Sequence, residues 1–220
     1  MTGRLRQPTG RYAGRTAAER RADRRRRFLA AGLELFGNGP GYRATTGAAL
    51  SEAAGLSPRQ FYEEFRTLED VLAALHSQLN DAAEEVATAA LAEASGLPRA
   101  ERTEAVFRAY AAYVTGDPRR IRVMFTEIVG VGPRMDEQRL ARRSRWVDFL
   151  CAQADKAARR GEIEPRDYRL AAIAFIGSVN GLLHDWAVGW VDATLDEVVE
   201  ELVRALPAFM RPPGQPGRPR

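Results

Sequence analysis

The sequence predicts an all-α fold of about nine helices, and three observations carry that expectation. Apolar residues recur at helical spacing through most of the chain. No stretch alternates apolar and polar residues long enough to make a useful strand. The breaks between periodic segments hold capping residues, glycine and proline, which is the punctuation of helix ends.

Residues 1–18, rich in Arg, Gly, Pro and Thr, have no apolar stripe and read as a disordered basic arm. A first helix is expected from Ala18 to Gly37, with Leu29, Leu33 and Phe36 on its buried side. Arg24 to Arg27 near its start oppose the helix dipole, which favours phosphate as their partner. Asn38-Gly39-Pro40-Gly41 ends that helix before Tyr42 and Arg43.

The next stretch, Thr45 to Phe65, predicts two short helices. Leu50, Ala53 and Ala54 share one side of the first, while Phe61 and Phe65 lie one turn apart on the second. Gly55 suits the left-handed conformation that ends a helix, and Ser57 with Gln60 forms a capping box around Pro58 at the first helical position. This is a helix-turn-helix. With Phe61 and Phe65 turned inward, Arg59, Gln60, Tyr62, Glu63 and Arg66 are left outward, each able to meet a base edge or a phosphate.

Thr67 caps a fourth helix with Asp70 at its third position, and Val71, Leu72, Leu75 and Leu79 mark its apolar side. It runs through an alanine-rich segment to Gly96-Leu97-Pro98, long enough to carry a shift between two parts of the molecule. Residues 101–115 form the next helix, and Asp117-Pro118 opens another with Ile121, Met124, Phe125 and Ile128 aligned. A long helix follows from Met135 to Arg160, with Leu140, Val147, Leu150, Cys151 and Ala154 on one side. From Pro165 to Val188 the apolar residues cover nearly the whole circumference, which predicts burial on all sides. Thr194 and Glu197 box the last helix, ended near Pro207, and residues 211–220 read as a disordered tail. The expected division is a helix-turn-helix part over 19–66 and a helical body over 67–210.

Charge divides along the same line. Residues 1–66 carry 13 arginines against 6 acids, whereas residues 67–220 carry 20 basic residues against 23 acidic. A basic excess confined to one end points to a polyanion partner there, nucleic acid being the simplest. The lone Cys151 excludes an internal disulfide and suits a reducing cytoplasm. No apolar run reaches membrane-spanning length before a charge interrupts, so no membrane partner is expected. No metal-ligand spacing, phosphate loop or nucleophile with its base is found, so no cofactor, metal or catalytic residue is expected and the chain is not read as an enzyme. Its two histidines, His76 and His184, form no triad.

Thr45-Thr46, Leu50-Ser51, Ala54-Gly55-Leu56-Ser57, Phe61-Tyr62, Phe65 and Glu69, preceded by Ala30-Ala31 and Leu35-Phe36, resemble the DNA-binding domain of the tetracycline-repressor (TetR) family over roughly residues 20–75. Three positions depart from its pattern: Arg59 for a usual glycine, Glu63 for a common histidine and Leu68 for a lysine. The resemblance implies a homodimeric, DNA-binding transcriptional regulator, a repressor released from an approximately palindromic operator by a small ligand. A ligand-independent architectural DNA-binding protein is the alternative.

The candidate DNA contacts are Arg43, Thr45, Thr46, Ser57, Arg59, Gln60, Tyr62 and Arg66. The aromatic residues Phe107, Tyr110, Phe125, Trp146, Phe149 and Phe175, with Asn180 and His184 as polar groups, are the candidates for the ligand pocket that the resemblance implies. Few charges are expected on those faces, which predicts a hydrophobic or aromatic effector. Gly177 and Gly181 on the penultimate helix, with Leu202 and Leu206 on the last, are the candidates for a dimer interface.

Overall fold

A computed structural model describes residues 16–209, and within them it contains nine α-helices and no strand. These are α1 (Ala17–Gly37), α2 (Gly47–Ala54), α3 (Pro58–Glu64), α4 (Leu68–Glu93), α5 (Arg99–Thr115), α6 (Pro118–Ile121), α7 (Pro133–Arg159), α8 (Arg169–Ala187) and α9 (Leu195–Phe209). The expected tail, and all but the last residues of the expected arm, lie outside the described residues. Helix α1 begins at Ala17 because Thr16 and Glu19 form a reciprocal capping box.

The first three helices close around an aromatic centre. Phe28 of α1 meets Phe61 and Phe65 edge-on, with ring centroids 5.6 and 6.1 Å apart, and Leu50 of α2 is fully buried beside them. Gly55 ends α2 at φ +61°, and the Ser57–Gln60 box starts α3, so both turn features read from the sequence are present.

Three of the arginines near the start of α1 make contacts within the chain. Arg24 donates Nε and Nη2 to Glu64 at 3.1 and 2.8 Å, Arg27 donates to the Gly55 carbonyl at 2.8 Å, and Arg25 lies over the Phe65 ring. They fasten α1 to the helix-turn-helix. The Glu64 side chain is only 1% exposed, and a carboxylate so deeply buried requires those guanidinium partners.

Helix α6 is a single turn that passes into a π-helical segment, Arg122–Glu127, where the sequence predicts one continuous α-helix. This segment touches α1, α4 and α8 and so joins the head to the body. Space is tight where α1 crosses α6: a Cβ on Gly37 would stand 2.5 Å from Cβ of Arg119. Only glycine permits that approach. Arg119 then bridges Glu34 of α1 and Asp117, each at 2.7 Å.

In the body, α4 and α7 run side by side along a polar seam: Arg134 bonds Asp70, Arg142 bonds Asp81 and Arg145 bonds Glu84. One expectation for a buried face is corrected here. Leu140 of α7 is exposed, and Met135, Val147, Ala154 and Ala157 are the buried positions.

Helix α8 starts at Arg169 rather than Pro165, because the Asp167 carboxylate accepts its first N–H at 2.8 Å. It is apolar and long enough by composition to cross a membrane, and its buried residues, Phe175, Val179 and Leu183 among them, face the core. The helix is not covered on all sides, however: Leu170 is 80% exposed, and Ala174 and Gly181 continue the same bare row. Leu202 and Leu206, expected at a subunit interface, are buried inside the chain, because α9 packs that face against α5 and α8.

Candidate nucleic-acid interface and ligand cavity

Helix α3 stands on the outside of the head with its inward residues consumed by packing. Arg59, its side chain 90% exposed, and Tyr62, 70% exposed, are open candidate side chains. Arg59 donates to Glu63 one turn on at 3.3 Å, so the one carboxylate among these outward candidates has an arginine to accept from. Gln60 uses its side-chain oxygen to accept the Ser57 N–H at 2.9 Å, which leaves its amide nitrogen outward. Thr46 caps α2 from an exposed position, Ser57 caps α3, and Arg66 is exposed beyond it.

Two candidates are otherwise engaged. The Thr45 hydroxyl is buried and donates to the Gly41 carbonyl at 2.7 Å, so it cannot reach a phosphate. Arg43 donates to the carbonyl of Gly130 at 2.7 Å and ties the head to the loop before α7. Sequence periodicity gives no sign of either partner, 4 and 87 residues away.

Between α4, α5, α7 and α8 lies a cavity of about 500 Å³. Phe107, Tyr110, Phe125, Trp146, Phe149, Phe175, Asn180 and His184 all line it. Phe107 meets Phe175 edge-on at 5.4 Å, and Tyr110 meets Trp146 at 5.0 Å. Burial in these apolar walls pushes the Tyr110 phenol pKa up. His184 donates Nδ1–H to the Phe125 carbonyl at 3.0 Å, which fixes its ring against the π-helical segment.

The cavity also holds groups that the sequence reading passed over. His76 and Asn80 of α4 are buried polar residues on its wall. The amide nitrogen of Gln138 lies 3.1 Å from Nδ1 of His76, and since an amide nitrogen only donates, Nδ1 accepts. Burial, with Arg142 and Arg139 nearby, lowers the His76 pKa to about 4 and keeps the ring neutral at ordinary pH.

Seven cationic side chains line the same space: Arg99, Arg102, Arg139, Arg142, Arg143, Lys156 and Arg160, with no acidic residue among the lining. The expected scarcity of charge is therefore corrected. Arg139, Arg142, Arg143, Trp146, Phe149, Leu150, Gln153, Ala157 and Arg160 follow one another at intervals of one to four residues along one side of α7. That stripe is legible in the sequence once Trp146, rather than Leu140, is taken as facing inward.

Among the described residues no group of three or more His, Cys, Asp or Glu could hold a metal. The polar content of both surfaces suits recognition: donors on an exposed helix, and an apolar chamber whose only formal charges are positive.

No curated protein matches the chain in sequence. A family model described as the tetracyclin repressor-like C-terminal domain matches residues 96–187. Among solved structures, the chain is similar to the transcriptional regulator FadR from Bacillus subtilis in complex with stearoyl-CoA, at 16% identity and a TM-score of 0.70, covering 84% of this chain and 99% of that one. It is also similar to FadR from Thermus thermophilus in complex with lauroyl-CoA, at 23% identity, TM-score 0.63 and coverage of 88% and 100%. A third is AibR in complex with isovaleryl coenzyme A and operator DNA, at 23% identity, TM-score 0.63 and coverage of 83% and 97%. Residues 96–187 are thus similar to the tetracyclin repressor-like C-terminal domain, and the solved structures share the fold of most of the chain.

Proposed function

We propose that this chain is a sequence-specific DNA-binding transcriptional regulator that leaves its operator when an amphiphile with an apolar chain and an anionic head enters the body. The cavity carries the reading: about 500 Å³ of apolar space ringed by cations and free of acids, sharing α4 with the head. An apolar chain suits the aromatic walls, and a phosphate or carboxylate suits the arginines. Three solved structures of this fold were determined with acyl thioesters of coenzyme A bound, which supports the same ligand class. A ligand-independent architectural protein has no use for such a chamber and is the weaker reading.

In this proposal residues 19–66 bind DNA and residues 67–210 bind ligand and a second copy of the chain. Arg59, Gln60 and Tyr62 enter the major groove, while Thr46 and Arg66 hold phosphates. Two heads must reach successive major-groove faces, so the operator is an approximate palindrome, and the bare row of α8 with Gly177 and Gly181 forms the two-fold contact. The protein acts on cytoplasmic DNA by binding and release, without catalysis.

The test is to select genomic fragments on the purified protein, then measure affinity for the recovered site with and without lauroyl-CoA. Weakening of roughly 5- to 150-fold is expected for a coupling of ordinary size. Saturable binding of the thioester with no change in DNA affinity would refute the switch.

A further inference from the structure

We infer that the effector carries negative charge at both ends: an apolar chain with a terminal carboxylate at the inner end of the cavity and a second anionic group at the outer end. This rests on the ligand class proposed above and narrows it.

The argument comes from the order of residues along α7. Arg139, Arg142 and Arg143 reach the cavity beside His76, Asn80 and Asn180, at the end nearer the head. Trp146, Phe149 and Leu150 follow as apolar wall, and Lys156 and Arg160 come last, where Arg99 and Arg102 of α5 join them. At 1.5 Å per residue, Arg143 and Lys156 stand roughly 20 Å apart along the helix. One helix thus presents cations, then apolar surface, then cations.

A ligand with a single anionic head accounts for one cluster only. Each cluster keeps cations that the chain itself does not satisfy. At the outer end Arg102 bonds Glu162 at 2.7 Å, whereas Arg160 reaches that carboxylate only at 3.8 Å, and among the described residues no carboxylate pairs with Arg99 or Lys156. At the inner end Arg142 is paired with Asp81. Arg143 donates only to the backbone carbonyl of Ile173, at 3.2 Å. The nearest carboxylate to Arg139 is Asp136 at 3.5 Å, and the Arg139 Nε is buried with no hydrogen-bond partner.

A buried donor on a charged group is costly when unmatched. No acidic side chain lines the cavity to match it. A carboxylate on the far end of the ligand would accept from Arg143 and from Arg139 Nε, while the neutral ring of His76 adds no competing charge there. A methyl terminus would leave those donors unmet.

The experiment compares ligands matched in carbon count: dodecanedioate against dodecanoate, and the mono-thioester of each with coenzyme A. Affinity for the full chain is read by calorimetry and by Trp146 fluorescence, and operator release by anisotropy. The doubly anionic member of each pair should bind about tenfold tighter or better, and the preference should shrink toward unity in Arg143→Met and in Arg139→Met. Equal or weaker binding of the dicarboxylates would overturn the inference, as would a preference that survives both substitutions. Tight binding of dodecanoyl-CoA with operator release, but no gain from the second carboxylate, sinks this inference alone. Failure of every member to bind sinks the parent reading with it.

Discussion

Glu127 accepts the backbone N–H of Tyr42 at 2.7 Å, so the loop that leads into the helix-turn-helix is held directly by the π-helical segment over the cavity. Its other oxygen accepts from Arg122 at 2.8 Å, and Arg122 reaches on to the Gly39 carbonyl. Met124 and Phe125 of the same segment line the cavity. Cavity and head therefore lie against one short, irregular turn, a geometry that recurs where helices serve function.

Removing the tie should weaken communication more than binding. In Glu127→Gln the ligand-induced loss of operator affinity should fall from the ordinary coupling of about 1 to 3 kcal/mol toward zero, with a stability cost near 1 kcal/mol. Operator titrations with and without lauroyl-CoA check it. An unaltered ratio would leave α4 as the sole route.

Arg59→Ala should cost about 1 to 3 kcal/mol in affinity for the cognate site if its guanidinium is bidentate to a guanine. Its side chain is almost fully exposed and bonds only Glu63, so the thermal midpoint should hardly move. Anisotropy on the selected operator and its guanine-substituted variants separates base reading from phosphate contact.

Gly181→Leu tests the α8 face. A Cβ there meets no heavy atom within 4 Å, so the side chain leaves the helix into open space. Gly177 is less clean, because a Cβ would press on the Arg143 guanidinium at 3.3 Å. Sedimentation equilibrium should show a dimer for the unmodified protein and weaker association for Gly181→Leu. A monomer at micromolar concentration in the unmodified protein would remove the proposed assembly.

His76 should make stability fall in acid. Its folded pKa is about 4 against 6.5 for the free side chain, so the neutral ring is the form the fold accepts. The unfolded chain takes up the proton first as pH drops. Stability from this site is therefore complete above pH 6.5, declines between 6.5 and 4, and falls no further below; the loss is on the order of 3 kcal/mol. His76→Gln should flatten that window in urea titrations at pH 7 and pH 4.5.

What the sequence by itself determined is the local and periodic part. Gly55, the Ser57–Gln60 box and the Thr67–Asp70 box act within a few residues, so they place α2, α3 and α4 with no knowledge of the rest of the chain. The aromatic lining was legible for a related reason: large apolar side chains on several helices must meet somewhere, and here eight chosen positions meet around one chamber.

Tertiary structure decided what depends on partners distant in sequence. Arg24 turned inward because Glu64, 40 residues on, needs it. Arg43 was engaged by the carbonyl of Gly130, 87 residues on, and Leu202 and Leu206 by the packing of α9 on its own chain. The cations of the cavity were hidden for the same reason. An arginine at helical spacing is equally at home in solvent or in a pocket, and only the position of α7 between α4 and α8 settles which.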